Sequence, residues 1–231
     1  MQEVAGECSP LPPISRVRRS VEEARRAYDR MSAWYDLFGG FGERRCIELG
    51  LDLLGVRTGE RVLEVGCGTG SALVPLARSA GKSGKVYGLD LSSGMAHRTR
   101  ERLDRASLGG RVPLILGDGA TLPLAEDAVD AIFVSFTLEL FDTSRIPLAL
   151  AECRRVLNAN GRMCVVSLAK RGTDSLSVRI YEWLHRALPR YVDCRPIPVD
   201  GLLREAGFRI MDVRRRSMWA LPIDLVLCRV S

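Results

Sequence analysis

Three glycines at alternate positions are the first sign of chemistry in this sequence. Gly66, Gly68 and Gly70 follow an apolar strand candidate, 61–65, which contains Glu64 near its end. A glycine has no Cβ, so the backbone can turn sharply here and a ligand can lie directly against the peptide. The spacing is not the G-x-G-x-x-G of dinucleotide sites, and a carboxylate at the strand end would repel a pyrophosphate. The same carboxylate suits an ammonium or a sulfonium group.

Two more acidic residues follow strand candidates at the spacing of a nucleoside site. Asp90 closes the candidate 85–89 and stands 20 residues after the third glycine. In α/β nucleoside sites a carboxylate at this position binds the ribose hydroxyls. Asp118 and Gly119 follow the candidate 112–116 and offer a carboxylate and an amide to the edge of an adenine.

The elements that must position these residues alternate between strand and helix. Apolar strands separated by amphipathic helices indicate a parallel sheet that is covered on both faces. The sequence predicts strands over 61–65, 85–89, 112–116, 130–136 and 161–168, with helices near 71–80, 94–106 and 147–157. The segments 208–219 and 221–230 are separated only by a turn, which predicts an antiparallel pair.

The rest of the chain divides into a short arm and one domain. Residues 1–14 carry three prolines and no apolar period, which predicts a flexible arm, and residues 15–231 form a single domain. Helical spacing over 15–34 and 43–54 precedes the first strand, and further helices are predicted over 175–188 and 200–206. The segment Asn158–Gly161 is typical of a tight helix-to-strand turn.

Composition narrows the class of protein. The 231 residues are 46% hydrophobic and 27% charged, which is ordinary for a globular domain. Apolar runs of bilayer length are missing and the N-terminus does not resemble a signal peptide, so we expect a cytoplasmic protein. Seven scattered cysteines without a C-x-x-C pair predict reduced thiols and neither disulfides nor a metal site.

Arginines account for much of the net charge of +6, and they are clustered. They belong either to a solvated face or to a contact with an anionic partner. Of such partners a lipid headgroup surface is favoured over nucleic acid, because no RNA-binding module is recognisable. The clusters are Arg16, Arg18 and Arg19; Arg25, Arg26 and Arg30; Arg44 and Arg45; and Arg214, Arg215 and Arg216.

Three motifs carry a family resemblance. Glu64–Gly70 (EVGCGTG), Gly88–Met95 (GLDLSSGM) and Gly117–Leu124 (GDGATLPL) resemble motifs I, II and III of the class I S-adenosylmethionine-dependent methyltransferases. The resemblance runs from about Tyr28 to the C-terminus, and it is nearest to the ubiquinone/menaquinone-biosynthesis C-methyltransferases. It implies a Rossmann-like, seven-stranded, mostly parallel sheet with a reversed C-terminal strand, helices on both faces and an N-terminal helical cover.

The resemblance also implies S-adenosylmethionine as the cofactor and assigns its contacts. Glu64 would act on the methionine end, the glycines would shape the loop, and Asp90 would bind the ribose. Met95 either flanks the adenine or is plain core. The predicted cofactor-binding residues are Glu64, Gly66, Gly68, Gly70, Asp90, Leu91, Met95, Asp118, Gly119 and Ser135.

Residues for the methyl acceptor are sought beyond the fourth strand and in the segments outside the alternating core. Glu139 is the catalytic candidate, as a general base or as the counter-ion of a cationic acceptor, and a helix cap is its structural alternative. Tyr35, Asp193 and Arg195 are the other substrate-side candidates. Where the related C-methyltransferases commonly carry an arginine–asparagine pair, this chain has Leu138 and Glu139, and a negative side chain suits an amine better than a phenolate.

The sequence thus predicts a methyltransferase that acts on a small or lipid-like acceptor, with quinone precursors as the first candidates for C-methylation. An N-methyltransferase of an aminolipid or a small amine is the alternative. A nucleotide-dependent oxidoreductase or a nucleoside-binding module would be a different class, and Glu64 with the G-x-G-x-G spacing argues against it. Peripheral contact with an anionic membrane is a further expectation, and the oligomeric state is left open.

Overall fold

One seven-stranded sheet forms the centre of the molecule. The computed structural model describes residues 12, 14, 20–31, 41–171, 178, 181 and 194–230. The strands are β1 (Arg61–Val65), β2 (Lys85–Asp90), β3 (Leu114–Leu116), β4 (Val129–Ser135), β5 (Leu157–Leu168), β6 (Phe208–Met218) and β7 (Leu221–Val230). Their order is β3-β2-β1-β4-β5-β7-β6, and β7 runs antiparallel to both of its neighbours while the other pairs are parallel. The predicted seven-stranded sheet with a reversed strand is confirmed.

Helices pack on both faces of this sheet. In the described ranges they are α1 (Val21–Met31), α2 (Phe41–Leu54), α3 (Leu73–Ala80), α4 (Ser93–Arg105), α5 (Ile146–Val156) and α6 (Val199–Glu205), with a 3-10 turn at Leu138–Leu140. None of these helices is long and apolar enough to cross a membrane. Predictions for the arm 1–14, apart from residues 12 and 14, and for most of the helix 175–188 lie outside the described residues.

Strand β4 shows how the apolar sequence builds two cores. Successive side chains of a strand point to opposite faces. Phe133 therefore packs in the cluster with α2 and α3, whereas Ile132 and Val134 pack in the cluster with α5 and α6. All three are at most 1% exposed. Full burial of such a side chain is worth roughly 1.5–3 kcal/mol, so β4 anchors the sheet under the site.

The start of β5 corrects the predicted turn at Asn158–Gly161. The strand begins at Leu157, which pairs with Val129, but the next pair joins Arg162 to Ala131. The residues between them therefore form a bulge within the strand. A hydrogen bond of 2.5 Å from Asn158 Nδ2 to Asp130 Oδ1 holds this bulge, and such a contact between distant residues is invisible in the local turn pattern.

Helix α1 is stabilised locally and has no buried residue. Ser20 and Glu23 form a capping box: the Ser20 amide donates to Glu23 Oε2 at 2.8 Å, and the Glu23 amide donates to Ser20 Oγ at 3.2 Å. Because the helix buries so little, its position on the domain depends on a few polar contacts, which lie at the site described next.

Candidate functional site

A cavity of about 490 Å³ lies at the carboxyl ends of β1, β2 and β4. Open α/β sheets bind ligands at this edge, where neighbouring connections diverge. Helix α1 and the first turns of α2 form the opposite wall, through Ala24, Tyr28 and Ile47 among others. The predicted N-terminal helical cover therefore forms part of the cavity wall.

The three glycines of the loop after β1 have different tasks. All three have positive φ angles, +71° at Gly66, +53° at Gly68 and +79° at Gly70, a region that favours glycine. A Cβ on Gly66 would lie 2.3 Å from Thr137 Oγ1, and one on Gly70 would lie 2.9 Å from Thr99 Cγ2, so these two glycines permit close packing. A Cβ on Gly68 would meet no protein atom within 4 Å and would enter the cavity.

Asp90 ties the glycine loop to the start of α4. Its Oδ2 accepts a hydrogen bond of 2.8 Å from the Gly68 amide, and its Oδ1 accepts one of 2.8 Å from the Ser92 amide. Burial raises the pKa of this carboxyl to about 6, although both amides oppose the rise. Each oxygen of a carboxylate has two lone pairs, so Asp90 can still accept hydrogen bonds from ligand hydroxyls.

Glu64 is a buried carboxyl with unmet hydrogen-bonding capacity. It is 2% exposed and lines the cavity, and its Oε2 has no hydrogen-bond partner among the described residues. Burial raises its pKa well above the usual range, and the negative charge of Asp90 adds to the rise. A cationic group in the cavity would relieve both effects, because it would supply the missing opposite charge.

Asp118 is engaged by a residue that the sequence did not single out. Its Oδ2 forms an ion pair of 2.5 Å with Arg145 Nη2, and its Oδ1 accepts a hydrogen bond of 2.9 Å from the Ala120 amide. The neighbouring Gly119 packs closely, because a Cβ there would lie 2.9 Å from Val65 Cγ1 and 3.0 Å from Phe141 Cζ. The cavity is lined by Asp118, Gly119 and Arg145, and also by Val65 and Phe141.

The remaining predicted cofactor residues, Leu91, Met95 and Ser135, also line the cavity. Met95 is 1% exposed, so it belongs to the packed wall as well as to the site. Phe136 follows Ser135 with a φ of +48°, which is strained for an aromatic residue. Its amide donates to the Val166 carbonyl at 2.8 Å, so β5 holds this strained turn in place.

Asp29 fixes helix α1 over the cavity. Its Oδ1 accepts hydrogen bonds from Ser92 Oγ at 2.6 Å and from the Gly94 amide at 2.9 Å, at the first turn of α4. These bonds hold the pKa of the Asp29 carboxyl below its usual range, the Gly94 amide most of all. Since Ser92 also binds Asp90, the cover and the nucleoside end of the site are joined through one serine.

The acceptor-side predictions fare differently. Tyr35 and Asp193 lie outside the described residues. Glu139 and Arg195 are both fully buried and neither lines the cavity. Glu139 Oε1 accepts a hydrogen bond of 3.2 Å from the Leu168 amide, and burial raises the pKa of its carboxyl to about 7. Direct contact with an acceptor would require Glu139 to leave this position, so its catalytic role stays a prediction.

Arg195 is placed behind the cavity wall. Its guanidinium donates to the carbonyl of Phe141, a residue that does line the cavity. Burial lowers the pKa of Arg195 to about 10, against the opposing charges of Asp142 and Glu139. In this position Arg195 supports the loop after β4, and a direct substrate contact stays a prediction.

Sequence reasoning missed several residues of the site. Arg145, Phe136, Thr137 and Phe141 reach the cavity from β4 and the loop after it, and Glu43 reaches it from α2. The position of the loop immediately after β4 was a usable signal for the first four. Nothing in the local pattern around Glu43 distinguishes it from a surface residue of a helix.

The cavity fits S-adenosylmethionine. Glu64 offers a buried carboxyl oxygen that a cation would hold in the ionised form. Asp90 offers acceptors to ribose hydroxyls, and open space lies over Gly68. Loaded with this cofactor, the site would contain an electrophilic methyl group on a sulfonium. The residues of the chain then have to bind the cofactor, orient it and exclude water.

Comparison with known proteins agrees with the geometry. The sequence profile of the family described as a methyltransferase domain matches residues 62–161, the stretch that contains the glycine loop, Asp90 and Asp118. The ubiquinone/menaquinone biosynthesis C-methyltransferase UbiE of Azotobacter vinelandii is 30% identical over 172 residues, which cover 74% of this chain and 67% of that protein. The protein of the same name from Cellvibrio japonicus is 32% identical over 162 residues, 70% of this chain. That match spans 63% of the length of the Cellvibrio protein.

A solved structure shares the fold. The magnesium protoporphyrin IX methyltransferase of Synechocystis PCC 6803, solved with bound SAH, superposes with a TM-score of 0.73 at 17% identity, over 92% of this chain and all of that chain. The site and the fold together define a class I S-adenosylmethionine-dependent methyltransferase, with S-adenosylmethionine as its cofactor. Within this class the chain belongs to the family of the UbiE-type C-methyltransferases.

Proposed function

We propose that this protein transfers the methyl group of S-adenosylmethionine to a small or lipid-like acceptor bound between the cofactor and helices α1 and α2. The observation that carries the proposal is the mixed lining of one continuous cavity. Its sheet edge is polar, with Glu64 and Asp90, whereas its helical wall is largely apolar, with Val21 and Ile47 beside the carboxylate of Glu43. An acceptor with an apolar body would bury that body against the helical wall.

A quinone precursor is our first candidate, with methylation at carbon. The names of the relatives support it, as does the apolar wall. In this reaction the ring carbon of a phenolate forms a bond to the methyl carbon while the bond to sulfur breaks. The ring proton then leaves to water. The protein must bind the ring as the phenolate, which requires a positive charge nearby. Among the described lining residues, Arg145 is the one with a cationic side chain.

An amine is the second candidate, and the charge of the cavity favours it. Arg145 is already paired with Asp118, while Glu43, Glu64, Asp90 and Asp142 also line the cavity. So acidic a lining attracts an ammonium and repels a phenolate. An amine acceptor would enter as the cation and lose a proton to water. Its nitrogen lone pair would then form a bond to the methyl carbon while the bond to sulfur breaks.

One assay separates the two candidates. The protein is incubated with methyl-labelled S-adenosylmethionine and either reduced demethylated quinones or primary and secondary amines, and mass spectrometry locates the label. A label on a ring carbon supports the first candidate, and one on nitrogen supports the second. Binding of S-adenosylhomocysteine without label transfer to either class would contradict both acceptor proposals and leave the cofactor assignment standing.

A further inference from the structure

The hairpin between β6 and β7 ends in an exposed aromatic side chain. Trp219 is 65% exposed, more than any other large apolar side chain among the described residues. The tip lies beside the start of α2, since a Cβ built on Gly42 would stand 2.7 Å from Met218 Cγ and 3.8 Å from Trp219 Cε2. The next residue of α2, Glu43, lines the cavity. The exposed tryptophan therefore stands at the helical side of the site.

The tip is poorly suited to turning the chain. Trp219 and Ala220 have φ angles of 50° and 62°, so both central residues of this two-residue turn are left-handed. Such turns favour Asn-Gly, because a Cβ is strained in this region. An exposed tryptophan gains little packing in return. Folding alone does not account for a tryptophan at this position.

Two basic side chains lie on the α2 side of the tip. The positive charges of Arg45 in α2 and Arg216 in β6 both lower the pKa of Cys46, against the rise that its burial causes. The two guanidinium groups therefore lie near the same thiol. Arg45 and Arg216 are exposed, and in the part of the chain that the structure describes neither forms an ion pair with a carboxylate. We call Arg45, Arg216 and Trp219 the tip patch.

The nearby acidic side chains do not neutralise the positive charge of the tip patch. Glu48 is paired with Arg44 at 3.1 Å, and Glu43 faces the cavity. The patch thus combines two exposed guanidinium groups with one exposed indole. Tryptophan settles at the boundary between headgroups and acyl chains, and arginines bind the phosphates of anionic lipids.

We propose that the tip patch docks the protein on an anionic phospholipid surface. Trp219 enters the headgroup layer, and Arg45 and Arg216 lie against the lipid phosphates. Docking in this orientation brings the start of α2, and with it one wall of the cavity, to the membrane. The docking itself requires no methyl acceptor, so it is tested independently of the proposed function.

Vesicle sedimentation tests the proposal. The full chain is mixed with phosphatidylcholine vesicles that contain or lack phosphatidylglycerol. We expect binding only to the anionic vesicles and a marked loss at high salt, because screening weakens exposed charges. Arg45→Gln and Arg216→Gln should each reduce the partition coefficient roughly fivefold, the effect of one basic residue near such a surface. Arg209→Gln and Arg229→Gln, a pair at the far end of the same hairpin, are matched controls and should bind like the wild type.

A second variant separates docking from folding. Trp219→Asn combined with Ala220→Gly gives the turn its preferred residues, so the melting temperature should stay equal or rise while vesicle binding falls to background. Wild-type binding by this variant, or by the combined Arg45→Gln and Arg216→Gln variant, would overturn the proposal. So would a dimer, seen by light scattering, that dissociates on Trp219→Ala, because the tip patch would then serve a second copy of the chain.

Discussion

Replacement of Glu139 by glutamine should change how stability depends on pH. Glu139 is 0% exposed, and burial raises the pKa of its carboxyl from 4.5 to about 7. At 1.36 kcal/mol per pKa unit this shift amounts to roughly 3 kcal/mol. Because the pKa of this carboxyl is higher in the folded state than in the unfolded state, protonation of Glu139 favours the fold, and the protein is more stable at low pH than at high pH. The contribution is complete below about pH 4.5 and is lost as the pH rises through 7.

The Glu139→Gln variant removes this titration and keeps the acceptor for the Leu168 amide. Relative to the wild type, the variant should gain roughly 3 kcal/mol between pH 4 and pH 8, or about 6–12 °C in melting temperature for a chain of this size. The new amide NH₂ replaces Oε2, which has no partner among the described residues, and an unsatisfied donor costs about 1–3 kcal/mol at every pH. The change with pH is therefore the diagnostic quantity, rather than the stability at one pH.

Thermal unfolding of both proteins from pH 4 to pH 8 measures the effect. Glu152→Gln is a matched control of opposite sign. The Arg155 side chain lowers the pKa of Glu152, so this carboxylate stabilises the fold at neutral pH and loses its contribution as the pH falls. Wild-type and Glu139→Gln curves that run parallel over the whole range would refute the burial argument. The same variant tests the catalytic prediction, which requires a lower turnover with unchanged affinity for S-adenosylhomocysteine.

The other predictions concern the cofactor end and its cover. Gly68→Ala should weaken S-adenosylhomocysteine binding about tenfold or more by calorimetry. The free energy of unfolding of Gly68→Ala should fall by only roughly 1–2 kcal/mol. Gly66→Ala should lose more, because its new Cβ would meet Thr137. Equal losses of stability in the two variants would contradict the assignment of Gly68 to the open space of the cavity. Asp29→Ala should lower hydrogen-exchange protection of α1 roughly tenfold to a hundredfold, and Glu22→Ala on the same helix should not. Affinity for S-adenosylhomocysteine should fall about tenfold per pH unit below about 6, where Asp90 takes up a proton; a flat profile would show that its carboxylate is not used.

The sheet edge of the cavity was largely predictable, because the information that brings its residues together is local in sequence. Gly68 and Asp90 stand at strand ends, and parallel strands bring their ends to one edge of a sheet. The alternation of strands and helices therefore sufficed to expect that these residues meet, and the Gly68 amide does donate to Asp90. The reversed strand β7 was equally accessible, since a two-residue connection leaves antiparallel pairing as the only short route.

Residues that meet through long-range contacts could not be predicted from the sequence. Strand β4 lies between Asp118 and Arg145 in the sequence, so the two residues can pair only once the chain has passed through β4 and turned towards α5. The contact of Asp29 with the first turn of α4 depends on where α1 docks, and that helix has no buried residue to reveal its position. In Glu139 the sequence offered a plausible base, but only the packed core decides whether a carboxylate faces the cavity or the Leu168 amide.

The sequence by itself determined the sheet, the glycine loop and the order in which acidic residues reach its edge. These follow from periodicity and from glycine's access to positive φ, which are properties of short segments. Tertiary structure alone decided which carboxylates are buried, which are paired, and which side chains form the helical wall of the cavity. Burial and charge pairing depend on atoms far apart along the chain, and they set the pKa of Glu64 and of Glu139 through the loss of water around each carboxylate.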